Sequence, residues 1–410
     1  MKKILRIINR FNLGGPTYNA AYLTKYLEKD YETILIGGQH EESEKSSLHI
    51  LDDLGLKPII IPEMQRSLNP YKDQIALRKI IKIIKEFKPD IVHTHAAKAG
   101  ALGRRAAYKM GVKQIYHTFH GHVFHSYFGN LKTKVFKEIE KNLAKKSTKI
   151  IAISEIQKKE LSEIHRICPA EKIEVIPLGF DLTRFNMDKD SKRKKFRKKW
   201  DLKENEIAIG IIGRLVPIKN HSFFIDSIKK IIKKSNFPIR AFIVGDGEEK
   251  HNLINYVRNI NLDYSLDTSP ATFHFTSWIK EIDEVNSGMD IICLTSLNEG
   301  TPVSLIEAQA NGKPIVSTKT GGIKNIVLEN KTALLSENND LNSFSQNLLS
   351  LVNNSKKRQL FSKYGLEKSE EFHYSKLINN IKNLYEKSLW KAKFFAFQKK
   401  TVVLQHDIYI

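Results

Sequence analysis

The chain of 410 residues contains only two cysteines, Cys168 and Cys293. Two thiols in unrelated settings exclude a disulfide scaffold and a zinc ribbon, and fit a reducing compartment. No apolar run approaches the roughly 20 residues that a bilayer span needs. The opening run from Met1 to Ile8 is broken by Arg6 and followed by Asn9 and Arg10. It lacks a small-residue cleavage site, so it reads as a first buried strand and not as a signal peptide. A cytoplasmic protein is expected, lying at most peripherally on the inner face of the plasma membrane. Acidic residues are few beside basic ones: 45 Asp and Glu against 67 Lys and Arg, a net charge of +22. That excess suits a polyanion, an acidic lipid surface or an anionic substrate, or else a solvated lysine-rich exterior. Hydrophobic residues at 41% and charged residues at 27% exclude pervasive disorder and a fibrous repeat.

What is present is an alternation. Short β-rich runs, such as 4–8, 33–36, 91–95, 114–119 and 150–153, are separated by helical patterns such as 17–28, 73–87, 99–110 and 132–146. The pattern restarts at 207–212 and continues through 240–244, 271–275, 291–294, 314–317 and 333–335. Alternation of this kind predicts parallel βαβ units, here in two α/β halves over 1–185 and 204–372 facing a cleft. Between them, 186–203 is dense in charge and reads as a basic, solvated linker; a nucleic-acid or localisation patch is the sharper alternative. A last helix is expected over 373–390, and 391–410 stays unassigned. Open parallel sheets bind ligands at the carboxyl ends of their strands, so the cleft is the default site.

The segment 290–327 carries the most chemistry. A strand runs through Leu294 into a loop with Glu299, Gly300, Thr301 and Pro302, and a helix then starts at Val303. Strand, glycine loop and helix N-terminus together aim backbone N–H groups at one anion. Gly300 permits close approach, and Pro302 suits a first helical turn. Glu299 in the loop and Glu307 in the helix have seven residues between them. One carboxylate can serve a ligand's reacting end and the other vicinal hydroxyls such as those of a ribose; alternatively, Glu307 pairs locally while Glu299 is solvated. Arg214 and Lys219 follow the strand 207–212 and can bring a planar fork and a point charge to one diphosphate. Val244-Gly245-Asp246-Gly247 ends the next strand without the full dinucleotide spacing. Gly14-Gly15-Pro16 follows the first strand of the first half.

Taken together, these pieces resemble the family 4 retaining glycosyltransferases. The resemblance rests on Gly14-Gly15, His117-Thr118-Phe119-His120-Gly121, Ile176-Pro177-Leu178-Gly179-Phe180-Asp181 and Gly213-Arg214-Leu215-Val216-Pro217-Ile218-Lys219. It is completed by Val244 to Gly247 and by Asn298-Glu299-Gly300-Thr301-Pro302-Val303-Ser304-Leu305-Ile306-Glu307-Ala308, and covers roughly residues 1–390 in order. It implies the GT-B fold, with two Rossmann-like domains and a C-terminal helix returning to the first. It implies that Arg214 and Lys219 bind the donor diphosphate, that Glu299 contacts hydroxyls of the transferred sugar and that Glu307 binds the nucleotide ribose. The amides of Gly300, Thr301 and Val303, with Pro302 between them, would hold phosphate oxygens, and Gly15 would approach the diphosphate. Gly245 falls in the donor-binding set, Trp278 lies where the nucleobase rests, and His120 lies near the reacting centre. The sequence departs from the family pattern at Asn220 and Ser277, where glycine is usual, and at Asn298, where an aromatic is frequent.

Six of the fourteen histidines fall between 93 and 125: His93, His95, His117, His120, His122 and His125. His93 and His95 share a strand face and could supply half a metal site. The preferred expectation is that the six line the donor and acceptor sides of the cleft as neutral hydroxyl-binding rings. A basic helix over 131–146 sets Leu131, Val135, Ile139 and Leu143 on one stripe among lysines. It faces either the core or an anionic lipid surface.

The function expected is transfer of a sugar from a nucleotide-diphosphate sugar, UDP favoured, to a glycan or lipid-linked glycan of a cell-surface polysaccharide. No cofactor or metal is expected, and no nucleic-acid partner. The alternatives are a nucleotide-sugar epimerase on the same fold and a polyanion-binding protein with an inactive site.

Overall fold

The computed structural model describes residues 1–12, 15–40, 46–65, 67, 69–121 and 130–387, with the backbone alone at 130–132. The chain divides into two compact units. The first comprises Met1–Phe180 with the chain from Tyr374 onward, and the second Asp181–His373. Gly14, His122, His125 and the 391–410 tail lie outside the described residues.

The first unit holds β1 (Lys2–Arg10), β2 (Tyr31–Gly38), β3 (Ile59–Ile60), β4 (Ile91–His95), β5 (Gln114–Phe119), β6 (Lys149–Ala152) and β7 (Ile173–Val175). They form one parallel sheet in the order β3-β2-β1-β4-β5-β6-β7. β4 and β5 are buried along their whole length, the mark of strands covered by helices on both faces. Residues 374–387 form a helix whose Leu377, Ile378, Ile381, Leu384 and Tyr385 pack with Ile4, Leu23, Tyr116 and Ile151 in one apolar cluster of this unit.

The second unit repeats the plan. β8 (Ile207–Ile212), β9 (Ile239–Val244), β10 (Tyr264–Ser265), β11 (Phe273–Ser277), β12 (Ile291–Leu294), β13 (Ile315–Thr318) and β14 (Ala333–Ser336) form a parallel sheet. Its order is β10-β11-β9-β8-β12-β13-β14. Chain direction across each sheet reverses once, between β1 and β4 and between β8 and β12. Ligands of open α/β sheets bind outside the carboxyl ends at such reversals.

The segment expected as a linker over 186–203 is not one. Lys189–Lys199 is a helix of the second unit. Phe196 and Trp200, four residues apart, are 2% and 4% exposed and pack edge-on against Phe242 of β9. Arg193 donates to the carbonyls of Ser287, Gly288 and Met289, the end of the helix Ile282–Gly288, and to Asp290. Arg197 reaches the other oxygen of Asp290. The charge density hid an amphipathic helix whose Arg193 caps a helix C-terminus, while Arg197 binds Asp290 and the carbonyls of Lys203 and Glu206. The first half also ends earlier than 185. Residues 181–186 go with the second unit, where Phe185 is 1% exposed and its carbonyl accepts from Asn311.

Candidate functional site

In the second unit, β8 delivers Gly213 and Arg214, and a short turn brings Lys219. The Arg214 side chain is exposed and makes no hydrogen bond or ion pair with any described residue. The Lys219 turn is tied to the loop after β12. Thr295 Oγ1 donates to the carbonyls of Lys219 and Asn220 at 3.0 and 2.9 Å, and Leu297 N to Ile218 O at 2.9 Å. Lys219 Nζ meets Glu299 Oε1, and Ser296 Oγ donates to the same oxygen at 2.6 Å. Glu299 Oε2 has no partner among the described residues. Both side chains are largely sheltered, at 19% exposure for Lys219 and 11% for Glu299.

The backbone of Glu299 and Gly300 is buttressed from below. Gly322 N donates to Glu299 O at 2.9 Å, and a Cβ at Gly322 would stand 1.7 Å from the Gly300 carbonyl. The Gly321-Gly322 loop is therefore a seat for the site's backbone. Gly245 has a similar reason to be glycine. Its φ is 147°, and a Cβ there would lie 1.9 Å from Gly213 O. Packing on the Arg214 turn accounts for Gly245 without a ligand.

The helix Val303–Ala310 starts at Pro302 with no side-chain cap. The amides of Gly300, Thr301, Val303 and Ser304 donate to no described residue, while Leu305 N closes on Pro302 O. Unsatisfied donors at a helix N-terminus are a ready anion seat. One turn on, the half-buried Glu307 is pushed up to about 7 by burial, opposed by Arg184 and reinforced by Asp283. Its carboxyl makes no hydrogen bond within the described residues, so an incoming hydroxyl would meet open lone pairs.

The two glycine replacements keep glycine's backbone. Asn220 has φ 51° and Ser277 φ 56°, both left-handed. Asparagine visits that region readily and serine less so, which explains why glycine suits these positions. Trp278, just past β11, is 46% exposed and lines a groove of about 400 Å³ with Trp200, Thr276 and Lys280.

The first unit presents a different set. Gly15 opens the helix Gly15–Tyr26 beside Leu178. His93, His95 and His117 are 0% exposed. The expectation that they line the cleft fails for these three; they are core histidines on β4 and β5. His93 Nδ1 lies 3.1 Å from Arg6 Nη1 and 2.6 Å from Tyr385 Oη, and its Nε2 lies 2.8 Å from Thr118 Oγ1. His117 Nδ1 lies 2.8 Å from Thr94 Oγ1. The rings of His93 and His95 stack at 4.3 Å and those of His95 and His120 at 5.3 Å. His95 Nδ1 and His120 Nε2 are 3.0 Å apart and share one proton, leaving His120 Nδ1 buried without a partner among the described residues. Burial holds all four rings neutral, with His120 down to about 3. No group of three or more candidate ligands able to hold a metal occurs among the described residues. After His95, Ala96 takes φ 66°, a conformation costly for a residue with a Cβ.

The helix Asn130–Lys146 splits its expected stripe. Leu143 is buried, while Val135 and Ile139 are 53% and 43% exposed. The covered side carries instead Ala144 and Glu140, which pairs with the buried Arg104 at 2.6 Å. No helix among the described residues is long and apolar enough to cross a membrane.

The sequence marks Gly321-Gly322 as a glycine loop of this half but not as a seat, and it does not single out Ser296 or Arg184. A serine three residues before Glu299 was a weak signal. Arg184 approaches Glu307 only through tertiary packing.

Comparison with known proteins adds to this geometry. Residues 192–368 match the family described as glycosyl transferases group 1, and 13–184 match glycosyltransferase family 4. The UDP-Gal:alpha-D-GlcNAc-diphosphoundecaprenol alpha-1,3-galactosyltransferase of Escherichia coli is 34% identical over 340 residues, covering 82% of this chain and 84% of that protein. The capsular polysaccharide biosynthesis glycosyltransferase CapM of Staphylococcus aureus is 24% identical, covering 82% and 86%. Among solved structures, a glycosyltransferase from Rickettsia africae superposes with a TM-score of 0.76 at 22% identity, covering 95% and 98%. HepE of Anabaena, solved in complex with UDP, gives 0.75 at 19%, covering 94% and 100%. These solved structures share the GT-B fold.

Proposed function

Because the chain belongs to family 4 of the glycosyltransferases, we propose that it moves a sugar from a UDP-sugar to a lipid-linked glycan, with retention of the anomeric configuration. The product is a cell-surface polysaccharide or its lipid-linked precursor. The observation that carries the donor reading is the convergence, at the reversal between β8 and β12, of the unpartnered Arg214, Lys219 and the unbonded amides of Gly300, Thr301, Val303 and Ser304. Cations and a helix N-terminus at one place suit a diphosphate. Glu299 Oε2 is left for a sugar hydroxyl and Glu307 for the ribose. Trp278 and its groove are assigned to the base, Gly15 to the diphosphate and His120 to the reacting centre.

In this mechanism the bond between the anomeric carbon and the diphosphate oxygen breaks as the acceptor oxygen attacks from the same face. The acceptor proton passes to the leaving diphosphate. Arg214, Lys219 and the amides stabilise the charge that grows there, which is where fixed dipoles contribute most. These donors take the place that a divalent ion would fill, so turnover is proposed to proceed without metal. His120, held neutral, offers Nδ1 for hydroxyl recognition.

The acceptor class is supported by the E. coli relative, whose name specifies a diphosphoundecaprenol-linked sugar as its substrate. A lipid-linked acceptor calls for a surface that meets lipid. The exposed Val135 and Ile139, among Lys134, Lys141 and Lys145, fit an anionic bilayer on the cytoplasmic face.

The test is a panel of UDP-, GDP-, ADP- and CDP-sugars with chelator present, assayed with and without a GlcNAc-diphospho-lipid acceptor. Transfer from a UDP-sugar, dependent on acceptor and giving an α-linked product by NMR, is expected. Donor conversion without acceptor would indicate the epimerase, and inverted product would overturn retention.

A further inference from the structure

We propose that Ser296 is a positioning residue that fixes which oxygen of Glu299 meets the transferred sugar, an inference that rests on the role given to Glu299 above. Ser296 lies two residues beyond β12, in the loop that carries Glu299. It is 0% exposed, so its hydroxyl has no water to turn to. Its Oγ donates to Glu299 Oε1 at 2.6 Å, the length of a charge-assisted bond. Lys219 Nζ takes the same oxygen.

One carboxylate oxygen is thus loaded twice, while Oε2 has no partner among the described residues. A carboxylate on a loop would otherwise rotate about its terminal torsion, which is broad and roughly two-fold. Two donors on Oε1 choose one of those settings and direct the lone pairs of Oε2 away from the pair.

Ser296 is itself held from the neighbouring strand. Thr318 Oγ1, at the end of β13, donates to Ser296 O at 2.7 Å, and Thr320 Oγ1 to Leu297 O at 2.9 Å. The Glu299 backbone is fixed in turn by Gly322. Carboxylate, serine and loop therefore form one relay built on the β12–β13 edge. Lys219 is drawn toward phosphate when donor binds, whereas Ser296 has no reason to move. Ser296 is the donor that keeps Glu299 oriented while Lys219 is shared, and it makes recognition of the sugar independent of capture of the diphosphate.

The test compares Ser296→Ala, Ser296→Thr and Glu299→Gln in donor turnover, UDP affinity and preference between UDP-galactose and UDP-glucose. The alanine variant loses one buried atom and should fold, with thermal unfolding as the check. Loss of one hydrogen bond to a charged group predicts a kcat lower by about 10- to 100-fold. UDP affinity should stay within about twofold and the preference between the two epimeric donors should narrow, because the bond acts on sugar and not phosphate. Ser296→Thr, which keeps the hydroxyl, should restore most of kcat and the preference. If Ser296→Ala turns over at the wild-type rate with unchanged preference while Glu299→Gln is damaged, the positioning role is wrong. If Glu299→Gln is itself unimpaired, the failure lies in the assignment of Glu299.

Discussion

At the carboxyl ends of the first sheet's central strands, the available group is the imidazole of His120, which burial holds neutral and which pairs with the core His95. At the reversal of the second the groups are ions and unbonded amides: Arg214, Lys219, Glu299 and the 300–304 backbone. Both sheets have seven parallel strands and a change of direction near the middle, although β11 lies between β9 and β10 in the second. Topology thus supplies the place and the side chains decide the ligand. Neutral rings can recognise hydroxyls without attracting phosphate, and a cationic pocket does the reverse. The donor proposed above has both parts, sugar hydroxyls and a diphosphate.

The sharpest way to break that comparison is to remove the cations. Arg214→Ala with Lys219→Ala should cost about 3–6 kcal/mol of UDP binding if each charge-assisted contact contributes its usual share. His120→Ala should lose turnover and keep UDP affinity. Equal loss of UDP binding in the histidine variant would end the division of labour.

Next in size is Phe196→Ala. It empties an aromatic core site in the second unit and should cost about 3–5 kcal/mol of that unit's stability. Hydrogen exchange should quicken in β8 and β9 and remain unchanged in β4 and β5. A silent substitution would return Lys189–Lys199 to the status of a solvated connector.

Acid should separate the units as well. The folded pKa values of His93, His95, His117 and His120 lie below the unfolded value near 6.5. The unfolded chain therefore takes up more protons as pH falls, and stability present above pH 6.5 drains away toward His120's folded value of about 3. The second unit holds two such rings, His221 and His274, each down to about 4, against four in the first, so exchange protection of β4 and β5 should fall more steeply between pH 7 and pH 5 than that of β8 and β12. Equally steep loss would contradict the histidine account.

The smallest effect is at Glu307, raised from 4.5 to about 7. Here the folded chain holds the proton more tightly, so stability declines as pH rises through that window. Glu307→Gln should gain about 1–3 kcal/mol relative to wild type at pH 8 over pH 5. A constant difference across that range would place the carboxyl in ordinary solvent.

Much of the second half-site was legible in the chain because its parts are local. Glu299, Gly300 and Glu307 lie within one strand, loop and helix, whose order alone announces an anion seat. Ser296 was not legible, because its meaning depends on Thr318 across the β12–β13 pair. The histidines were visible as a cluster but not as a core, since burial on β4 and β5 follows from helices covering both faces of the sheet. Lys189–Lys199 was misread because Phe196 and Trp200 are two apolar residues among many charges, and only the presence of Phe242 makes them a buried face. Asn220 and Ser277 looked like departures from a pattern, and their left-handed φ values show that the backbone need was retained.

The central claim is that the charged site on the second unit supplies most of the hold on the donor diphosphate, with Gly15 only approaching it. Hydrogen exchange with and without UDP, in the presence of chelator, tests it most directly. The account predicts slowed exchange at the amides of Gly300, Thr301, Val303 and Ser304 and around 214–219, with 93–95 and 117–120 unchanged. Slowing confined to the histidine strands, with 300–304 exchanging as before, would contradict it.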